Sequence, residues 1–419
     1  MAERLIFHVD VNSAFLSWEA AKRVAEGGED LRLIPSAVGG DADKRTGVIL
    51  AKSIPAKKYG VKTGEAVAAA LRKCPNLTLV KSDFRLYVRC SRAFTDICRR
   101  YTPAIEKFSI DECFLDMTGG ELLFPNPVET ARALKDAIRD ELGFTVNVGI
   151  AHNKVLAKMA SDFEKPDRVH TLFEDEIPGK LWPLPVGELY AVGEATAARL
   201  EKACIRTIGQ LAQTDLAILQ SLVGVKLGRL LHDYANGIDD SPVVTEPERA
   251  KGYSISTTLE QDVTDRGTAA KILLALADSV ASRMRADDAK AYCVSTAIRS
   301  SSFKNRSHQQ KLSEPTDITD EIYQKALRLF DELWDGRTPL RLLGISLTDI
   351  VYGGVGQMTL FPDERKERAR QVDKAVDDIR RRFGSETIVR GTICQSAPDV
   401  GRKYKAQIEN KQKENKERS

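Results

Sequence analysis

The hydrophobic period of this chain switches repeatedly between strand and helix spacing, and the order of those switches is what most limits the fold. LIFHVDV at residues 5–11 is an apolar run closed by an acid, the pattern of a buried strand. Further strand patterns fall at 32–38, 47–51, 77–80 and 145–150, and residues 105–117 read as a β-hairpin. Helical spacing fills 13–25, 55–74, 83–101, 127–143 and 153–161. Strands alternating with helices, with a hairpin inside, predict a mixed α/β sheet. From 165 to 237 the pattern becomes short helices with little strand character, and DSPVVTEPER at 240–249 reads as a linker. Strand patterns then return at 253–259, 291–298, 307–312 and 341–350, with helices at 268–285 and 320–334. That order, β-α-β-β-α-β, predicts a small split βαβ domain. A strongly charged helix is expected at 364–383. With 419 residues the whole is an α+β multidomain protein with more than one core.

Composition removes several classes of function. No apolar run reaches the length of a membrane span, and the start MAERLIFHVDV lacks a signal-peptide pattern, so a cytoplasmic location is expected. The seven cysteines form no C-x-x-C pair, which argues against a disulfide framework or a zinc site. The net charge of +3 decides little, but RSSSFKNRSHQQK at 299–311 is basic without an acid. Residues 401–419 are polar and basic, a composition expected to be disordered.

The apolar hairpin FSIDECFLDM carries two adjacent acids, Asp111 and Glu112. A carboxylate in an apolar setting must be paired, protonated or metal-bound. Two side by side repel one another and favour a divalent cation, and oxygen-only ligands suit magnesium. Asp10 has a similar setting at the end of the first strand. If the two segments meet on one sheet, three acids converge that could hold two magnesium ions for in-line phosphoryl displacement. The alternative at this stage is that the acids sit at exposed hairpin tips.

HVDVNSAFLSWE, AKSIPAKKYGVKTG, FSIDECFLDM and GIAHNKVLAKMASDFEKPD occur in an order and spacing that resembles the Y-family, or translesion, DNA polymerases, most closely the bacterial polymerase IV and UmuC-like branches. The resemblance runs from about residue 5 to about residue 383. It implies a right-hand polymerase: palm at 1–18 and 77–165, fingers at 19–76, helical thumb at 166–239, linker at 240–250, little finger at 251–352, and a tail at 353–419. It implies magnesium-dependent, template-directed, low-fidelity transfer of a dNTP to a primer 3′-hydroxyl, by a monomer. Asp10, Asp111 and Glu112, with the backbone carbonyl of Val11, match the metal ligands. Phe15 matches the aromatic gate that excludes a 2′-hydroxyl, and Lys165 matches a lysine on the triphosphate. Where polymerase IV carries a Tyr-x-x-Arg pair, this chain has Ile54 and Lys57, so a bidentate fork becomes a point charge. Ser256 stands where a glutamate is common.

The resemblance also implies DNA- and partner-binding parts. Residues 190–211 resemble the thumb's helix-hairpin-helix, whose turn aims N–H groups at a phosphate. Gly193 and Thr196 are the candidates there, and Ala191 replaces the first glycine of the usual Gly-x-Gly. Gly224 and Gly228 are expected in a second, weaker loop of the same kind. Lys251, Arg299, Lys304, Arg306 and Lys311 are candidate phosphate contacts of the little finger. QMTLF at 357–361 resembles a sliding-clamp peptide, with Gln357 at a pocket rim and Leu360 and Phe361 as apolar anchors. GGDAD at 39–43 is similar to the GGDEF signature of nucleotidyl cyclases but reads as a turn. A second possible function is a catalytically weak DNA- and clamp-binding protein, motivated by Ile54 and Lys57.

Overall fold

Strand β1 (Ile6–Val11) is buried at all six positions, which requires cover on both faces. The computed structural model describes residues 4–40, 47–120, 122–246, 248–353, 364–384 and 387–394. In it β1 lies at the centre of a five-stranded sheet with β5 (Ile105–Lys107), β6 (Glu112–Asp116), β7 (Val146–Ala151) and β8 (Val169–Thr171), ordered β5-β6-β1-β7-β8. Successive side chains divide between two cores. Phe7, Val9 and Val11 pack with helices α1 (Ala14–Ala25), α4 (Phe84–Cys98) and α5 (Pro127–Leu142). Ile6, Phe114 and Ala151 face α6 (Lys154–Asp162) on the other side. The strand alternation therefore puts Asp10 and Glu112 on the α6 side of the sheet. Gly149 permits the close approach of that helix: a Cβ there would lie 2.0 Å from the Ala157 carbonyl oxygen.

A three-stranded sheet, β2 (Ser36–Gly39), β3 (Ile49–Lys52) and β4 (Thr78–Lys81), is ordered β3-β2-β4. Its small core holds Ala37, Ile49, Ala56, Val61, Val67 and Leu77. The strand expected at 32–38 begins only at Ser36. The helix expected at 55–74 is two short ones, α2 (Ile54–Lys58) and α3 (Val67–Lys73). They are separated by Gly60 and Gly64, both at positive φ, a conformation that ends a helix at no cost to glycine.

Four helices follow: α7 (Glu194–Lys202), α8 (Ile208–Gln213), α9 (Leu216–Val223) and α10 (Val225–Ala235). The first helix expected at 190 starts later, because Ala191 takes φ +72° and breaks the run. Gly224, at φ +94°, joins α9 to α10. The start of the expected linker is tied down: Asp239 just before it accepts from Val155 N–H, Arg4 donates to the Ser241 carbonyl, and Val244 N–H donates to Glu106. This unit ends at residue 247 and a second begins at 248.

The second unit contains β9 (Tyr253–Val263), α11 (Arg266–Ala286), β10 (Ala289–Ser300), β11 (Asn305–Thr316), α12 (Thr319–Leu333) and β12 (Leu340–Tyr352). The strands form an antiparallel sheet ordered β11-β10-β12-β9, with both helices on one face, as the β-α-β-β-α-β pattern predicts. The charged helix, α13 (Glu364–Phe383), is joined to this unit by ion pairs rather than apolar burial. Arg285, with a 5% exposed side chain, donates to Asp377 at 2.7 Å and Asp373 at 3.3 Å. Arg380 meets Asp278 at 2.8 Å, and Arg370 meets Asp317 at 2.8 Å. Residues 353–419 were expected as a tail; α13 within them belongs to the packed second unit.

Candidate active site

Register brings the acids of β1 and β6 together. Asp10 lies directly opposite Glu112, and Val11 N–H donates to the Asp111 carbonyl at 3.0 Å. On its other side Asp10 faces Asn147 of β7. The expected hairpin is present, with Asp111 in its turn and Glu112 opening β6. The acids are not equivalent. Asp10 is 7% exposed, and burial pushes its carboxyl up to about 6 even though Lys165 beside it pulls the other way. Glu112 is also penalised by burial, but His8 and Lys158 outweigh this and bring it down to about 2. Asp111 is the more open member and accepts from Ser109 Oγ at 2.5 Å.

Two lysines complete the arrangement. Lys158 Nζ lies 2.8 Å from Glu112 Oε2, above the rings of Phe108 and Tyr190 at 5.1 and 5.7 Å. Lys165 pairs with Asp10 and, at 2.8 Å, with Asp162. A buried amide network sets the turn that carries Lys165. Asn147 donates to the carbonyls of Ser161 and Glu164 at 3.0 and 2.7 Å, and Asn12 accepts from Asp167 N–H at 3.0 Å. His8 is fully buried, bonded to Ser161 Oγ at 2.8 Å, with Nε2 3.5 Å from Glu112. Burial lowers its pKa and keeps the ring neutral. Asn12, Asn147 and Lys158 were not singled out in the sequence. The signal for Asn147 was only polarity at a strand position whose neighbours are buried, and Lys158 lies on helix α6.

Among the described residues no three His, Cys, Asp or Glu side chains stand together as a ligand shell, and Asp10 and Glu112 each engage a lysine. The donor chemistry nonetheless fits a divalent cation. These are hard oxygens on adjacent strands.

Phe15, the third residue after Asn12, is half-buried in a cluster of rings. It stacks on Tyr87 at 4.7 Å and meets Trp18 and Phe84 edge-on at 5.8 and 5.9 Å. Tyr87 is anchored in turn by donating to Glu19 at 2.8 Å. Ile54 is 60% exposed at the start of α2, and Lys57 on the same helix is exposed.

Comparison with known proteins decides the family. Residues 9–162 match the impB/mucB/samB family, residues 250–360 its C-terminal domain, and residues 187–239 the DNA polymerase-iota thumb domain. The DNA polymerase IV of Clostridium acetobutylicum is 44% identical over 94% of this chain and 98% of its own. DNA polymerase IV 2 of Bacillus subtilis is 34% identical over 97% of this chain and all of its own length. The chain belongs to the Y-family DNA polymerases. A solved Y-family DNA polymerase chimera of Dbh and Dpo4 shares its fold, with a TM-score of 0.72 over 83% of this chain and 100% of that one, at 24% identity. This Y-family polymerase is thus a translesion, DNA-directed DNA polymerase of the polymerase IV type. No described helix is long and apolar enough to cross a membrane.

The remaining predicted residues of the polymerase fall in the two units as follows. Gly193 caps α7 at φ −85°, so it does not need glycine's freedom; Ala191 beside it, at φ +72°, does. Thr196 lies in the first turn of α7, where its N–H donates to the Gly193 carbonyl at 2.9 Å. Gly228 lies inside α10, where a Cβ would come within 2.8 Å of the Gln220 backbone. It is therefore a packing glycine and not part of a loop. Arg299 and Lys311 lie on the open face of the second unit's sheet, Arg299 on Asn305 and Lys311 over Tyr292. Arg306 has the opposite parity on β11. It shares the helix side with His308 and Gln310, which meet Glu332 and Lys325 of α12, so the two faces separate it from the other candidates. Lys304 lies in the exposed turn before β11, and Lys251 is paired with Glu248 at 2.9 Å. Gln357, Leu360 and Phe361 lie outside the described residues.

Proposed function

We propose that this translesion polymerase adds dNTPs to a primer 3′-hydroxyl at the end of the central sheet, with Asp10, Asp111, Glu112 and the Val11 carbonyl holding two Mg2+ ions. The observation that carries this is the register: Asp10 opposite Glu112, with Asp111 bonded through its carbonyl to Val11 N–H. When bound, the two ions supply charge for the attacking hydroxyl and for the leaving pyrophosphate. The chain's own groups do the positioning. Lys158 and His8 hold the Glu112 carboxylate ionised and oriented. Phe15, fixed by the Tyr87 and Trp18 rings, presents a flat wall against the sugar and excludes a 2′-hydroxyl. Lys165 and Lys57 bind the triphosphate as point charges.

In this reading the central sheet with α1, α4, α5 and α6 is the palm, and β2–β4 with α2 and α3 are the fingers. Helices α7–α10 are the thumb, and the second unit is the little finger. The thumb would meet a DNA phosphate at the Gly193–Thr196 turn. The little finger would use Arg299 and Lys311 of the open face, Lys304 of the turn before β11 and Lys251 before the sheet, contacts that depend on salt and not on sequence. Residues 357–361 are proposed to bind the replication sliding clamp, raising the local concentration of a monomeric polymerase at the primer end.

The deciding experiment is primer extension on undamaged template with magnesium and four dNTPs, the parent beside an Asp111→Ala, Glu112→Ala double variant. Extension by the parent alone, with both proteins binding primer-template equally, is the expected result. Extension by the double variant would move the metals elsewhere. No extension by either, with DNA bound, would favour a catalytically weak binding protein and direct attention to the exposed Ile54.

A further inference from the structure

Lys165 makes two ion pairs at once, with Asp10 and with Asp162. Its side chain is 36% exposed, whereas that of Asp10 is 10% exposed. The lysine reaches in from the surface to neutralise an acid that solvent barely touches. The turn beneath it is held by Asn147 and Asn12, so this placement is built in and not a chance side-chain pose. Lys158 is different: it is 13% exposed and clamped between Glu112 and two aromatic faces.

Lys165 occupies Asp10 Oδ2. A cation that takes this oxygen competes with the ammonium for it and is repelled by its charge, and an incoming triphosphate offers that ammonium a more highly charged partner. We propose that Lys165 is an exchangeable counter-ion: it rests on Asp10 and Asp162 in the empty enzyme and transfers to the triphosphate when nucleotide and metal enter. The proposal rests on the assignment of Asp10 as a metal ligand. Its consequence is a coupling. Lysine on Asp10 holds metal affinity down until nucleotide draws it off, so each ligand tightens the other by the same factor. The empty site is thereby kept from filling with metal alone.

The test is Mn2+ binding followed by electron paramagnetic resonance, with and without a non-hydrolysable dNTP analogue. Parent, Lys165→Met, Lys165→Arg and Asp10→Asn proteins are compared. Lys165→Met should bind Mn2+ about fivefold or more tightly than the parent without nucleotide, since a competing charge-assisted pair is gone. The gain in Mn2+ affinity on adding the analogue should shrink in the same variant. Lys165→Arg, which keeps the charge, should behave like the parent. Equal or weaker Mn2+ binding by Lys165→Met without nucleotide overturns the counter-ion role. If Asp10→Asn leaves Mn2+ binding unchanged, the metal is not at Asp10, and the reading of the site fails together with the proposal.

Discussion

Ala191 holds φ +72° in the turn that leads into α7, where a Cβ crowds the following carbonyl. Ala191→Gly should stabilise the first unit by about 0.5–1 kcal/mol, the relief of strain exceeding the added freedom of the unfolded chain; chemical denaturation followed at Trp182 reads it. Glu19 gives a second prediction. Burial raises its carboxyl pKa, only partly offset by the hydroxyl of Tyr87. A folded value above the unfolded one means that folding favours the protonated acid. The penalty is absent below the unfolded pKa and complete above the folded one. Glu19→Gln, which can still accept from Tyr87, should therefore match the parent near pH 4 and exceed it in denaturation midpoint by pH 7. At this scale the candidate acids were legible because two adjacent charges in an apolar run call for a partner. Their lysines were not. Lys158 and Lys165 sit at helix and turn positions where a solvated lysine would read the same, and only the fold places them on Glu112 and Asp10.

Helix α13 shows what pattern can and cannot carry at the level of an element. Its helical spacing was plain, but a dense mixture of acids and bases gave no apolar face. The partners that define that face, Arg285 for Asp373 and Asp377, lie 88 and 92 residues away. Removing Arg285 leaves Asp377 buried without its guanidinium, while Asp373 keeps Arg390 and the Thr319 N–H. Arg285→Ala should cost the second unit about 3 kcal/mol, seen as a lowered denaturation midpoint and faster amide exchange throughout α13. Strand β11 was underestimated for a related reason. NRSHQQKLSEPT is exposed at nearly every position, so it lacks the alternation that marks a half-buried strand, and its pairing with β10 is what holds it extended.

At the scale of the molecule, the first unit is built on three apolar clusters and the second on one of its own. Two separable unfolding events are expected in calorimetry. Arg285→Ala should move one of them and leave the other where it was; a single transition that shifts as a whole would show that the units unfold together. The order of elements in the second unit was readable from hydrophobic period alone; in the first, β8 and the division of 55–74 into α2 and α3 were not. The boundary at 248 falls within the expected linker, but the start of that linker is tied down at Ser241 and Val244 by Arg4 and Glu106, partners distant in sequence.

The pairing of Asp10 with Glu112 and Asn147 across three adjacent strands also governs how such a gene can drift. A residue inserted or deleted within β1 or β6 turns every following side chain to the opposite face, so the acids would exchange places with the apolar residues beside them. Lineages descended from this chain can vary freely in length only outside those strands. Gaps in any faithful alignment of its relatives should pile up in the turns and vanish across residues 6–11 and 112–116.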